Sequence, residues 1–210
     1  MTAFVPALAF AAIIGSGLMA GLFFVFSVCV MQALSRLPPE QGIAAMNAIN
    51  VVIQNPLFLI AFMGTALLGL ALIVAAFVGG GQGSYLLAAG GFVYIVGTLM
   101  VTIVFNVPLN NALAAAGGQT AVELWQQRYL TDWVWWNHVR TLASIGSLCL
   151  FVPRLRTQLR ARFSARGGSF AVVLLHRDPT YMETAGIAAA SLVRHMARSG
   201  GSNGSPTHRA

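Results

Sequence analysis

Charge is what this sequence has least of. No lysine occurs among its 210 residues, acids number only five, and charged residues make up 8% of the chain against 57% hydrophobic ones. A soluble domain carries about a quarter of its residues as charges, so an ordinary water-soluble globule is excluded. Cysteine is also scarce. Cys29 and Cys149 each stand inside an apolar run with no metal-ligating neighbour close by, and both are expected to be buried, reduced thiols. Before residue 176 there is a single histidine, His138, and the three acids there are scattered. That is too small a ligand set for a metal, so no metal site is expected.

The few charges are unevenly placed. Up to Pro153, Arg36, Arg128 and Arg140 are balanced by Glu40, Glu123 and Asp132, whereas the tail from Arg154 holds nine arginines against Asp178 and Glu183. The whole excess of +7 therefore follows the last hydrophobic run. A basic flank of that kind marks the cytoplasmic side of a membrane protein. It is not accompanied by any nucleic-acid-binding module, so nucleic acid is not expected as a partner.

Long apolar runs are what the sequence does have. A span needs roughly 20 apolar residues to cross about 30 Å of hydrocarbon. Runs of that kind cover about 5–30, 57–78, 85–105 and 133–152. The first is too long for a secretory signal and has no basic residue ahead of it. The predicted fold is therefore all-α: a four-transmembrane-helix bundle over residues 1–153 and a basic, partly disordered cytoplasmic tail over 154–210. The protein is placed in the cell membrane as a multi-pass protein in contact with lipid, with both termini cytoplasmic. Within the tail, 181–198 reads as an amphipathic interfacial helix and 200–210 as disordered. Gly17 and Gly21 form a small-xxx-small pair expected to let helices approach closely, and assembly into a homo-oligomer stays open.

With that topology the polar side chains gather. Arg36, the group from Asn47 to Asn55, the group from Asn106 to Asn111 and the group from Asn137 to Arg140 all fall toward the outer side, while the inner halves of the spans are nearly pure apolar residues. The segment WQQRYLTDWVWWNHVR, residues 125–140, holds all four tryptophans. Trp133, Asn137 and Arg140 are spaced i, i+4, i+7 and share a helical face, and His138 lies about 100° round from Asn137. An arginine inside a span costs about 2.5–3.5 kcal/mol on insertion scales, so Arg140 is expected to face the interior and to bond asparagine or carbonyl oxygens on other helices. Blander roles compete for the rest. Tyr129, Trp133, Trp135 and Trp136 suit an interfacial aromatic belt, most of all Trp135, which points away from the shared face. Asparagines at span ends cap helices or mark turns.

Four segments carry a family likeness: GLFFVFSVCVMQAL, MNAINVVIQNPLF, FNVPLNNAL and WVWWNHVRT. In these, and in their order and spacing over about 5–153, the chain resembles the anthrone-oxygenase-like family of small bacterial and fungal integral membrane proteins. The resemblance implies a four-helix membrane fold. For fungal members it implies oxidation of a polycyclic anthrone to an anthraquinone by molecular oxygen with no evident cofactor.

Such chemistry asks for a base, donors for an enolate oxygen and an aromatic pocket. In that setting His138 is the candidate base, Arg140 and Asn137 the oxyanion donors, and Trp133 and Trp136 the stacking surfaces. Asn50, Asn106 and Asn110 complete the candidate binding site. The rival reading is a non-catalytic membrane protein whose polar ends hold the helices together or bind a hydrophobic small molecule or partner. An open pocket beside Arg140 separates the two.

Overall fold

Proline and asparagine set where several helices begin. A computed structural model of the chain describes residues 4–81 and 83–165, so the expectations for the tail beyond 165 lie outside the described residues. Among the described residues every regular element is helical. Helix α1 is Phe4–Leu34 and is followed by α2, Pro39–Val52. Helix α3, Pro56–Gly79, and α4, Ser84–Ala115, are joined through glycines with positive φ at 80, 81 and 83. Helix α5, Gly118–Leu124, continues through Trp125–Trp133 into α6, Val134–Ala165. Pro39 and Pro56 sit in first turns, where their missing N–H is not needed. The Asn55 side chain caps α3 by accepting from the Phe58 amide at 3.0 Å. Pro153, by contrast, ends the apolar run but not the helix, which continues past it.

Helices α1, α3 and α4 are long and apolar enough to cross a membrane. Helix α6 is less apolar, because Asn137, His138, Arg140, Thr141, Ser144 and Ser147 fall in its first half. All of these except His138 are buried, while Leu142 and Ile145 on the same helix are exposed. The other helices show the same inversion. Ser16, Thr65, Thr98 and Asn106 are buried, and large apolar residues such as Phe10, Leu67, Phe77 and Phe92 are exposed. Polar groups inside and apolar groups outside fit a membrane protein, since in lipid a buried hydroxyl needs a partner and an outward leucine does not. The two cysteines correct the expectation made for them: Cys29 and Cys149 are free but exposed.

Small residues bring the helices together, at one member of the expected pair and at several other positions. A Cβ added at Gly69 would lie 3.2 Å from Gly91 Cα, so α3 and α4 touch backbone to backbone there. Gly90 lies against the Phe151 ring and Gly97 against Ala143, which seats α6 on α4. Of the Gly17/Gly21 pair, Gly17 faces Leu148 on α6 and Gly21 faces open space. Hydroxyl bonds add to the seam. Thr98 and Ser144 Oγ atoms are 3.0 Å apart, and Ser147 donates to the Gly90 carbonyl at 2.9 Å.

Four stretches are wound more widely than an α-helix, at Phe26–Val30, Ile95–Met100, Thr102–Asn106 and Trp125–Trp133. Such π-turns insert a residue into the ladder and leave carbonyls free for side chains; they are frequent at functional sites. All four border the region described next.

Candidate functional site

Trp125, Tyr129 and Trp133 are spaced four apart along the widened segment and are fully or almost fully buried. Their rings form a stack, with centroids 5.3 Å and 5.8 Å apart. Tyr129 and Trp133 are therefore core and not belt. Trp135, pointing the other way, is exposed, as a belt residue would be. The stack is tied to α4 through one asparagine. Asn110 Oδ1 accepts from the Tyr129 hydroxyl at 2.7 Å and from Trp133 Nε1 at 2.8 Å. Asn50 on α2 donates to the Tyr129 oxygen at 3.5 Å. Burial raises the Tyr129 phenol above its ordinary range, against the opposing effects of the Asn50 bond and the Arg140 charge. It stays a neutral donor.

One turn further along, Asn137 makes a second junction. Its amide donates to the Phe23 carbonyl and to Ser27 Oγ, both at 2.6 Å, where α1 enters its widened turn. With its nitrogen committed, its Oδ1 is left to accept, and Arg140 Nη2 donates to it at 2.6 Å. Arg140 Nη1 donates to Thr102 Oγ1 at 3.3 Å. The guanidinium carbon lies 4.3 Å from the Phe23 ring centroid and 5.2 Å from that of Trp133. Trp133, Asn137 and Arg140 thus share a buried face, as their spacing requires. Arg140 takes its asparagine partner from its own helix, however, and a threonine, not a carbonyl, from α4.

The balance at Arg140 is incomplete. Its side chain is 5% exposed, and no carboxylate among the described residues pairs with it; Asp132 pairs instead with Arg128 at 3.4 Å on the surface. Among the described residues its Nε has no partner. Cation–π contacts in a desolvated site contribute about 2 kcal/mol each, and an unpaired buried donor costs about 1–3 kcal/mol. Two neutral acceptors and two rings do not replace a counter-ion, whose absence in the interior costs several kcal/mol.

Beside this guanidinium is a cavity of about 370 Å³, within the size range of small-molecule sites. Arg140 and Trp133 form part of its wall, and Phe23, Phe26, Phe58 and Phe62 supply much of the apolar remainder. Asn50 on α2, Gln54 just after it, and Asn110 and Asn111 in the far part of α4 add polar groups. Among the described lining residues none is Asp, Glu or His.

The expected site residues therefore divide. Asn50, Asn110, Trp133 and Arg140 line the cavity, and Asn137 supports it by holding Arg140. Asn106 is buried beside it, donating to the Trp133 carbonyl at 3.1 Å with its own Oδ1 unpaired. Trp136 stacks on Phe105, centroids 3.6 Å apart, and is not in the wall. His138 is exposed and is not brought to the group. Arg36 is exposed as well and does not join the cavity. Phe23, Ser27, Thr102 and Tyr129 were not singled out as site residues by spacing. Phe23 and Ser27 do lie in the first of the four motif segments.

Residues 58–150 match the family model described as Anthrone oxygenase. The match is narrower than the likeness over about 5–153, and leaves out α1 and α2. It includes Thr102, Asn106, Asn110, Trp133, Asn137 and Arg140. No curated protein and no solved structure matches the chain.

Proposed function

We propose, taking the match of residues 58–150 to the anthrone oxygenase family as premise, that the cavity binds an acidic polycyclic aromatic ketone as its enolate and lets it react with oxygen. Four spans, α1, α3, α4 and the first part of α6, hold it in the membrane, with the basic flank and both termini on the cytoplasmic side. The observation that carries the reading is Arg140: a buried cation with no carboxylate and no Nε partner among the described residues, in the wall of an aromatic cavity. An enolate oxygen supplies the negative charge this guanidinium lacks. By favouring the anion, the site raises the acidity of the benzylic C–H.

The roles follow from position. Arg140 holds the enolate oxygen, and Asn137 positions Arg140. Trp133 and Phe23 flank the guanidinium and present ring surfaces to a flat ligand. His138 is left out, so the benzylic proton passes to water at the polar side of the cavity. The enolate gives one electron to oxygen, and the resulting carbon radical and superoxide combine and take up a proton to form a hydroperoxide. Loss of water, using the second benzylic hydrogen, leaves a new carbonyl. The balance is CH₂ + O₂ → C=O + H₂O.

Oxygen uptake by the purified protein with a panel of anthrones tests this. Uptake above the uncatalysed rate, lost in Arg140→Gln, is expected. Uptake unchanged by Arg140→Gln overturns the assignment. A second reading, binding without turnover, is favoured by the absence of any Asp, Glu or His among the described lining residues. Tight binding of an anthrone with no uptake selects it.

A further inference from the structure

The cavity has an apolar side that faces outward. Leu59 and Met63 on α3, and Ile103 and Val107 on α4, all belong to its lining. Yet these four are also 42%, 43%, 51% and 39% exposed on the outside of the molecule. A residue that both lines a cavity and faces outward stands at an opening. Here the opening lies between two helices that are apolar enough to span a membrane.

The packing of α3 on α4 explains why the gap is there. The two backbones touch at Gly69 and Gly91, where no side chain separates them. Toward the start of α3, Tyr94 reaches across, its hydroxyl donating to the Phe62 carbonyl at 3.1 Å. A whole phenol now fills the space that glycine closed. Beyond Tyr94 no hydrogen bond joins the two helices among the described residues, and α4 is widened at Thr102–Asn106. The helices open like a V with its apex at the glycines. Met63 lies six residues from Gly69, about 9 Å along the axis. Every side chain at the mouth is an unbranched or branched hydrocarbon or a thioether. Gln54 and Asn111 also line the cavity and are exposed, so a second, polar opening lies beyond the start of α3.

We infer that the ligand enters sideways from the hydrocarbon, between α3 and α4 past Leu59, Met63, Ile103 and Val107, and not from water past the amides. This rests on the proposed function and narrows its substrate class to flat, membrane-partitioned aromatic ketones without a fixed charge. Such a ligand slides in apolar body first through an apolar mouth and meets its first charge at Arg140. A phospholipid anion could be drawn by the same guanidinium, and the test separates the two.

The protein in lipid nanodiscs is mixed with anthraquinone, which partitions into hydrocarbon, or with anthraquinone-2-sulfonate, which stays at the aqueous surface. Binding is followed by quenching of tryptophan fluorescence. In Met63→Phe/Ile103→Phe, association and dissociation of anthraquinone should both slow by about tenfold with Kd nearly unchanged, as a narrowed gate requires. Ile60→Phe, on the outside of α3 and not in the lining, should leave the anthraquinone rates alone. Unchanged rates in the double variant, or equal slowing by Ile60→Phe, overturn the lateral route while the cavity reading stands. Rapid saturable binding of the sulfonate to the wild type also overturns the route. No binding of anthraquinone in nanodiscs of neutral lipid overturns the lateral route and leaves the enolate reading to the oxygen-uptake test. Binding in neutral lipid that is competed away by added phosphatidylglycerol overturns the ketone in favour of a lipid anion.

Discussion

Two halves of the same helices are built on opposite terms. Around Gly69, Gly91, Gly90 and Ser147, glycines and hydroxyls bring backbones together, and Thr98, Ser144 and Ser147 each have a partner. Around Arg140, widened turns and aromatic rings keep the helices apart. Among the described residues the buried side-chain polar atoms without partners are Asn47 Oδ1, Asn106 Oδ1 and Arg140 Nε, and the last two belong to this second end. A seam optimised for stability satisfies its polar groups, because each one left unpaired costs about 1–3 kcal/mol. A site that must receive a ligand keeps some of them waiting. The difference marks where one region is tuned for cohesion and the other for chemistry.

The largest test of this contrast is Arg140→Gln. Losing a positioned oxyanion donor should lower turnover by about 10²–10³-fold. Thermal unfolding in detergent should hold steady or rise, since an uncompensated buried charge goes with it. A large drop in melting temperature with turnover retained would make Arg140 a structural residue and erase the contrast. Gly91→Ala is the opposite probe. Its Cβ would press on the Gly69 backbone, so a loss of about 1–3 kcal/mol is expected, seen as a lower melting temperature.

Asn110→Ala comes next. It removes the acceptor shared by Tyr129 and Trp133 and should cost about 1–3 kcal/mol, with a shift in tryptophan emission as the stack loosens. Smallest is His138→Ala, which should change stability by no more than about 0.5 kcal/mol and leave oxygen uptake at the wild-type rate. A sharp loss of uptake there would return the base's role to His138 and redraw the site.

Much of this was legible in the residues and part of it was not. Helix positions followed from apolar runs. The shared face of Trp133, Asn137 and Arg140 followed from 3.6-residue periodicity, as did the outward turn of Trp135. Periodicity also put His138 about 100° from that face, but its chemical character argued for a catalytic role that its exposure does not support. Tyr129 and Trp133 read as a belt because an aromatic at a span end serves equally well in lipid headgroups or in a core. Gly17/Gly21 was the more conspicuous spacing, and Gly17 does pack on Leu148, whereas the backbone-to-backbone contact is made at Gly69 and Gly91, one glycine from each of two helices. No pattern within a single helix identifies such a pair.

Composition and order by themselves determined a helical, lipid-compatible chain with its rare polar groups concentrated in a few segments. They did so because hydrocarbon tolerates only hydrogen-bonded backbone and penalises each stray charge. Only the tertiary structure decided which polar atom bonds which, that Asn137 spends its nitrogen on α1 and its oxygen on Arg140, and that a cavity opens beside the guanidinium. Those outcomes depend on where helices from distant parts of the chain touch and where widened turns rotate their faces, and neither is a property of any one segment.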